Sequence, residues 1–469
     1  MKLNKNYFIK FILFFLSSFI SLYMFINTDI DSGYGFYFIV PFTFGVLNVF
    51  CTKINYFNLK FPGMLVLNFT MLIKYLLTPF IMCLGNYYSW LGTMPSNENI
   101  HISILLIIVE MISIFTLSNY LNFKQIHNEF KENTTMELKH NLCHFIFIIL
   151  GFSSLFIIPA AFDDYHFIWD LSNIAETVKV DFALAGIFKT LFIFARYSLI
   201  LLIINYFYKR NLKKQSKINI IMSIFPIIIN CIYISNLSRI NIAVPVFVFS
   251  CLIYFLFNDA SDRKFITKFL IITLITSTVF MSAIKFFGNG RGNEGNETNI
   301  AWWGDTLNMY FSGPKETAIA ISTSELVKKI YGYNRLYLMY NDAFSNVIGL
   351  SNTTNKMDST ALFNIMYFSR EGVRCQIVPN IAEGYLYFGP VLYFLWPLIF
   401  VYLCYFYDKK FKEVSTLDLK FAYLYSSIYC GMVLMLNSSM LISNMINVTL
   451  LFTILSVLND KISISKKSR

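Results

Sequence analysis

Apolar runs long enough to cross a membrane cover most of the chain, and one long polar segment interrupts them. A helix needs about 20 apolar residues to cross the hydrocarbon of a bilayer. Lipid offers no hydrogen-bond partner to an open backbone, so each run is expected to be helical. The pattern predicts about twelve spans, near 8–27, 34–51, 61–84, 101–120, 143–161, 183–207, 219–235, 240–257, 267–287, 385–406, 421–437 and 440–458.

The polar interruption covers residues 288–384. It opens with GNGRGNEGNETN, continues through AWWGDTLNMYFSGPKE and ends with YFSREGVRCQIVPNIAEGYLYFG entering the next apolar run. We therefore predict an all-α polytopic membrane protein in three parts: helices 1–9 in residues 1–287, one large loop at 288–384, and helices 10–12 with a tail in 385–469.

Loop charges predict the orientation of these spans. Lys and Arg concentrate before the first span and in the loops and tail near 53–60, 124–139, 209–217, 263–264, 409–412 and 461–469. The short loops of the opposite side offer only Lys179 and Arg239. Because cytoplasmic loops carry the excess of basic residues, both termini are expected in the cytoplasm and the 288–384 loop outside. The first apolar run lacks a small-residue cleavage site, so we interpret it as a retained helix.

Composition excludes an ordinary soluble domain. Hydrophobic residues make up 56% of the chain and charged residues 14%, whereas about 25% charged is usual for soluble proteins. The net charge of +11 lies in short loops where it sets orientation, so we expect no nucleic-acid partner. The eight cysteines match neither a disulfide framework nor a metal site.

Residues 290–295 fit the pattern G-x-G-x-x-G letter for letter. A dinucleotide site requires that pattern between a strand and a helix, whereas here it follows a predicted membrane helix on the outer side. We interpret it as a loop whose backbone N–H groups around Arg291 are able to bind an anion. No cofactor is expected.

Basic side chains near the outer surface are candidates for binding an anionic group. Arg239 occupies a short outer link where positive charge is disfavoured, so it is either a phosphate ligand or a headgroup anchor. Arg370 and Arg374 are four residues apart and would share one helix face; a salt bridge with Glu371 is the structural alternative. Lys189 and Arg196, seven apart in one span, would form a cationic track toward the outside.

Two ionisable residues lie inside consecutive predicted spans, Lys74 and Glu110. Consecutive antiparallel helices usually touch, so we expect a buried ion pair. It is either functional, as intramembrane charges often are, or a lock between two helices.

Carboxylates are the candidate general bases of the polar loop, because the loop contains no histidine. They are Glu316, Glu371 and Glu383, with His166 of the outer loop after the fifth span as the alternative. Its aromatic residues, among them Tyr310, suit either a membrane-interface belt or the apolar faces of sugar rings.

With these features together, the chain resembles the bacterial O-antigen and capsule repeat-unit polymerases of the Wzy type. The resemblance rests on the overall plan and on SRINIAVPVFVF, YFSGPKETAIA and NIAEGYLYFGPVLYFLWPLIFVYLCYFYDKKF. It implies a GT-C-like fold in the bacterial cytoplasmic (inner) membrane. It also implies glycan transfer from one undecaprenyl-diphosphate carrier to another at the outer leaflet, with membrane lipid and a chain-length regulator protein as partners.

The resemblance implies roles for the candidate residues. Fixed guanidinium charges would stabilise the diphosphate leaving group, and a carboxylate would activate the acceptor hydroxyl. The expected catalytic residues are Glu371, Glu383 and Arg374. The expected substrate-binding residues are Arg239, Arg291, Arg370, Arg196, Lys189, Tyr310 and Lys315.

Two other functions share parts of this plan. An O-antigen ligase would use the same donor, and the absence of a loop histidine favours the polymerase. A lipid-linked oligosaccharide flippase would have charges along the whole passage, and the residues that keep this alternative open are Lys74, Glu110, Lys189 and Arg196.

Overall fold

The computed structural model describes residues 5–467 except 57, 90–91, 128–137, 139–140, 164, 168–184, 236–238, 258, 260, 270–271, 273–299, 333, 345–346, 348–356 and 372–375. Helices dominate these residues. In chain order they are α1 (Lys5–Asn27), α2 (Ile39–Phe50), α3 (Pro62–Leu72), α4 (Thr78–Leu84), α5 (Asn97–His127), α6 (Leu142–Ile157), α7 (Ala185–Lys213), α8 (Lys217–Ile232), α9 (Arg239–Leu256), α10 (Ile300–Tyr310), α11 (Pro314–Tyr331), α12 (Arg335–Phe344), α13 (Ser359–Phe368), α14 (Asn380–Leu392), α15 (Leu395–Glu413), α16 (Leu417–Gly431) and α17 (Ser438–Lys467).

Shorter elements complete the described chain. A π-helical turn, Ile73–Leu77, joins α3 to α4, and 3-10 turns lie at Ile30–Ser32 and Pro159–Phe162. Strands β1 (Tyr165–Phe167) and β2 (Tyr233–Ser235) pair antiparallel.

Among the described residues, five helical segments are long and apolar enough to cross a membrane, and a sixth is added if α14 and α15 form one bent span. The five are Asn6–Asn27, Pro62–Leu84, Asn97–Lys124, Ala185–Lys213 and Ser438–Lys461. The chain is therefore a multi-pass membrane protein. Shorter apolar helices occupy four more predicted spans, at 39–50, 142–157, 217–232 and 240–256. The predicted span at 267–287 lies almost wholly outside the described residues.

The predicted span at 385–406 is not one straight helix. α14 and α15 meet at an angle of 116°, and α14 is itself kinked near its end at Gly389, whose φ is +75° and which precedes Pro390. The chain folds back tightly here. The backbone of Tyr393 lies so close to Gly384 that a Cβ on Gly384 would be 2.2 Å from the carbonyl oxygen of Tyr393. Hydropathy alone shows an unbroken apolar run here, so the bend was not predicted.

Helix α16 is the centre of the bundle. Nearly all of its side chains are buried, and it packs against α3, α9, α15 and α17. Small residues allow the close approach to α3: a Cβ on Gly63 would lie 2.2 Å from Ser427 Oγ, and one on Gly431 would lie 2.4 Å from the Gly63 carbonyl oxygen. Glycine contacts of this kind are how membrane helices approach closely without a hydrophobic driving force.

A carboxylate from α15 binds the first turn of α3. Asp408 accepts hydrogen bonds from the backbone N–H groups of Gly63 (3.1 Å) and Met64 (2.9 Å) and from the hydroxyl of Ser427 (2.5 Å). The N-terminal N–H groups of a helix lack partners within it and carry partial positive charge. This buried acid therefore joins three helices that are far apart in sequence.

The predicted pair between Lys74 and Glu110 is confirmed. Lys74 Nζ lies 2.6 Å from Glu110 Oε2, and both side chains are buried. The Tyr75 hydroxyl donates a second hydrogen bond, 3.1 Å long, to the same oxygen. The pair joins the π-helical turn to α5, so it locks two spans together.

The predicted loop at 288–384 contains four complete helices and the start of α14 in its described part. α10 packs on α4, where a Cβ on Gly85 would lie 2.6 Å from Ala301 Cα. α11 packs on α5, α13 and α14, with Ile319, Phe363 and Tyr367 in a buried cluster. This segment is therefore built onto the ends of the spanning helices.

We expect Lys74→Met to lower the free energy of unfolding by about 3–5 kcal/mol, because it leaves the buried Glu110 carboxylate without its charge partner. The double variant Lys74→Met with Glu110→Gln should regain most of the lost free energy of unfolding. Thermal unfolding in detergent measures both, with Lys124→Met, an exposed lysine on α5, as the matched control. Equal stability of the single and double variants would contradict the interpretation.

Candidate functional site

A polar cavity of about 120 Å³ lies between α7, α8, α9, α16 and α17. Its described lining contains one cation, four asparagines and five tyrosines, and no acidic side chain. The lining residues are Tyr165, Thr190, Ile193, Phe194, Arg196, Tyr197, Asn230, Tyr233, Asn241, Tyr425, Tyr429, Asn444, Asn447 and Val448. We call this space the Arg196 cavity.

Arg196 is held by backbone carbonyls. Its Nη2 donates to the carbonyl oxygens of Asn230 (2.6 Å) and Tyr233 (2.9 Å), at the C-terminal end of α8. Its guanidinium also lies 5.5 Å from the centre of the Phe192 ring. Carbonyls orient the guanidinium and favour its charge, but they do not neutralise it. Within the described structure no carboxylate pairs with Arg196, so the cavity carries a fixed positive charge.

Amide and phenol groups surround this charge. Asn230 is 9% exposed, and its Oδ1 has no hydrogen-bond partner among the described residues. The Tyr425 hydroxyl donates to Asn444 Oδ1 (3.3 Å), and the rings of Tyr425 and Tyr429 lie 4.8 Å apart. Amides and hydroxyls bind the hydroxyls of a sugar, tyrosine rings contact its apolar faces, and the guanidinium binds an anion.

The sequence interpretation found only Arg196 among the polar residues of this cavity. The amides were missed because they lie within apolar runs and carry no charge. Two features of the sequence could have indicated these amides. Asn230 and Asn241 flank the short α8–α9 link, and Asn444 and Asn447 lie one helical turn apart.

Other predicted cations lie near the cavity or outside the described residues. Lys189 lies on α7, two turns before Arg196. Arg239 is the first residue of α9, two residues before Asn241; its side chain is not among those described. The predictions for Arg291 and Arg374 fall outside the described residues.

The structure does not bring Arg370, Glu371 and Tyr310 to the cavity lining. α13 ends at Phe368, and Ser369 is left-handed with φ 51°, so Arg370 does not lie on a helix as its spacing to Arg374 suggested. Arg370 and Glu371 are exposed in the following turn. Tyr310 ends α10 and is 37% exposed.

Glu383 is fully buried and contacts the first residue of α17, a helix that lines the cavity. Its Oε2 accepts a 2.7 Å hydrogen bond from the backbone N–H of Ser438, the first residue of α17. α17 carries Asn444 and Asn447. The Ser312 hydroxyl donates to the Leu434 carbonyl oxygen (3.2 Å) in the turn before α17. The segment from α10 to α14 thus holds the start of the helix that lines the cavity.

Lys315 lies in a second buried polar group, at the start of α11. Its Nζ lies 2.5 Å from Ser89 Oγ, 3.4 Å from Tyr367 Oη and 3.6 Å from Asp305 Oδ1. The neighbouring Glu316 is also fully buried. We call these residues the Lys315 cluster. Lys315 is absent from the cavity lining, so its substrate-binding role stays a prediction.

Glu316 is held in an environment that disfavours its charge. Burial raises the pKa of Glu316 to about 8, with Lys315 opposing the shift and Asp305 adding to it. Polar contacts with Tyr367 and Gln376 also oppose the shift. The raised pKa therefore favours the protonated carboxyl near neutral pH.

Comparison of the chain with protein-family models, with curated proteins and with solved structures finds no match.

Protonation of Glu316 predicts that stability falls as pH rises. Between about 4.5, its ordinary pKa, and about 8, the unfolded carboxyl has lost its proton while the folded one retains it. The free energy of unfolding should then decrease by up to about 1.4 kcal/mol per pH unit. Glu316→Gln should reduce this slope relative to the wild type, whereas Glu325→Gln, at an exposed position on the same helix, should leave it unchanged. Denaturant unfolding across that range measures both, and a wild-type slope in Glu316→Gln would refute the assignment.

Proposed function

We propose that this chain is a polymerase that joins oligosaccharide repeat units carried on undecaprenyl diphosphate, at the outer face of a bacterial cytoplasmic membrane. The observation that carries the proposal is the Arg196 cavity. Its guanidinium has no carboxylate partner among the described residues and lies among amides and tyrosines, between helices of a multi-pass membrane protein. A lipid-linked sugar diphosphate supplies the matching features, an anion, hydroxyls and apolar ring faces.

The proposed topology has about twelve spans, with both termini in the cytoplasm and the segment of α10–α14 outside. Loop charge supports this orientation. In that frame α7 begins outside and ends inside at its basic terminus, Arg210 and Lys213. The short link before α9, with Arg239, is then expected on the outer side.

The proposed reaction is a substitution at the anomeric carbon of the donor. The acceptor hydroxyl forms the new glycosidic bond, and the bond from the anomeric carbon to the diphosphate oxygen breaks. The electron pair leaves with undecaprenyl diphosphate, and the acceptor proton passes to a carboxylate. In this proposal Arg196 and Arg239 stabilise the leaving diphosphate. Exposed Glu371 and buried Glu383 remain the predicted bases, with Arg291, Arg370 and Arg374 as further phosphate ligands.

The ion pair of Lys74 and Glu110 weakens the argument for a flippase. These two charges are buried against each other, so their presence in spans is explained by helix packing. The Arg196 cavity would also suit a ligase donor, because both enzymes use the same carrier. The product profile separates the two functions.

Loss of the gene should leave the lipid core bearing a single repeat unit if the protein is the polymerase. Bare core would indicate a ligase, and failure of units to reach the outside would indicate a flippase. Gel profiles of surface polysaccharide, read after complementation with the wild-type gene, make this comparison.

Arg196→Gln should reduce polymer formation by about 100-fold or more, the range seen when one fixed charge-stabilising donor is removed from a site. Arg196→Lys should recover only part of the activity, because an ammonium group lacks the planar fork that binds two oxygens at once.

The matched control for Arg196→Gln is Arg210→Gln, the same change at an exposed position on the same helix. It should leave polymer length unchanged. Membrane abundance of each variant is measured in parallel. Wild-type polymer from a normally abundant Arg196→Gln variant would overturn the proposal.

A further inference from the structure

Helix α12 has an exposed face that is entirely apolar and aromatic. Leu336, Tyr337, Tyr340 and Phe344 are each between 48% and 61% exposed. The opposite side, with Leu338 and Asp342, is buried. Residues at i, i+4 and i+8 lie along one side of a helix, so three of these side chains form a continuous stripe. A helix face that meets water is expected to be polar instead.

The position of α12 places this stripe at the end of a membrane span. α12 packs on α17 and α14, and Asp342 accepts a 2.6 Å hydrogen bond from Tyr387 of α14. One turn earlier on α14, Glu383 binds the N–H of Ser438, where the candidate span Ser438–Lys461 begins. A span ends where the hydrocarbon of the bilayer meets the headgroups. Because α12 is connected to the start of this span, it lies at the depth of that boundary.

Exposed apolar residues also occur close to the bend between α14 and α15. Val391 is 74% exposed, and Leu392 and Leu395 are also exposed. Arg335, at the start of α12, reaches the end of α14: its Nη1 lies 3.7 Å from where a Cβ on Gly389 would be. α12 therefore begins beside a segment with exposed apolar residues.

Basic residues border the same surface. Lys328 and Lys329 are exposed in the last turn of α11, and the rings of Tyr331 and Tyr337 lie 6.4 Å apart across the α11–α12 corner. An apolar face with Trp, Tyr or Phe, bordered by Lys and Arg, is the pattern of helices that lie in the membrane interface. Tyrosine suits this depth because its ring is apolar and its hydroxyl is polar.

We propose that α12 is an interfacial helix whose Leu336, Tyr340 and Phe344 enter the acyl boundary of the bilayer, with Lys328, Lys329 and Arg335 contacting anionic lipid phosphates. The partner is a phospholipid surface. A second copy of the chain is the competing occupant that the experiment must exclude. This inference stands independently of the proposed polymerase activity.

A photoreactive benzophenone side chain installed at position 340 in place of tyrosine tests the contact directly. The full-length protein is placed in nanodiscs of phosphatidylcholine with phosphatidylglycerol, irradiated and analysed by mass spectrometry. Phospholipid adducts should form several-fold more from position 340 than from position 371, where the same group replaces an exposed glutamate of the outer segment. Position 344 gives a second site if the variant at 340 does not reach the membrane.

Equal lipid yields at 340 and 371 would overturn the proposal, as would cross-links from 340 mainly to a second protein copy.

The contact of the basic residues with anionic lipid phosphates is tested separately. Lys328→Gln and Lys329→Gln should each lower the enrichment of phosphatidylglycerol among the adducts by about fivefold, equivalent to about 1 kcal/mol per basic residue. Unchanged enrichment would refute the anionic-lipid contact.

Discussion

A polar group inside a membrane must find its partner within the protein, and this constraint determines which helices of the chain are neighbours. Lys74 and Glu110 bring the π-helical turn to α5. Asp408 joins α15 to the first turn of α3 and to α16. Water cannot satisfy such groups in hydrocarbon, so each contact excludes alternative arrangements. Apolar packing alone discriminates weakly, since lipid tails are as apolar as leucine.

The same constraint produces the Arg196 cavity. Among the described residues Arg196 pairs with two carbonyls and with no carboxylate, so its positive charge is oriented and still able to attract an anion. The amides and phenols around it provide neutral contacts for hydroxyls. Fixed polar groups of this kind need little reorganisation when a ligand arrives, which is why the cavity, more than the exposed residues of the outer segment, supports the proposed glycan chemistry.

Hydrogen bonds connect the segment of α10–α14 to a helix that lines the cavity. Glu383 binds the N-terminus of α17, and Tyr387 on the same helix holds Asp342 of α12. The proposed lipid-facing helix, the buried carboxylates and the cavity wall are therefore connected by short hydrogen bonds. In the proposed polymerase, α12 would contact the lipid and the cavity would bind the sugar. Because these two parts are connected, a membrane-bound carrier would be held beside the cavity.

Apolar runs by themselves determined the helices and their multi-pass character, because lipid admits only helical spans and their length is set by the bilayer. Sequence adjacency also predicted Lys74–Glu110, since consecutive helices are usually neighbours. The bend at Gly389, the burial of Lys315 and Glu383, and the asparagines of the cavity were decided only by tertiary structure. Each depends on contacts between residues distant along the chain, such as Glu383 with Ser438, and hydrophobic periodicity carries no information about such pairs.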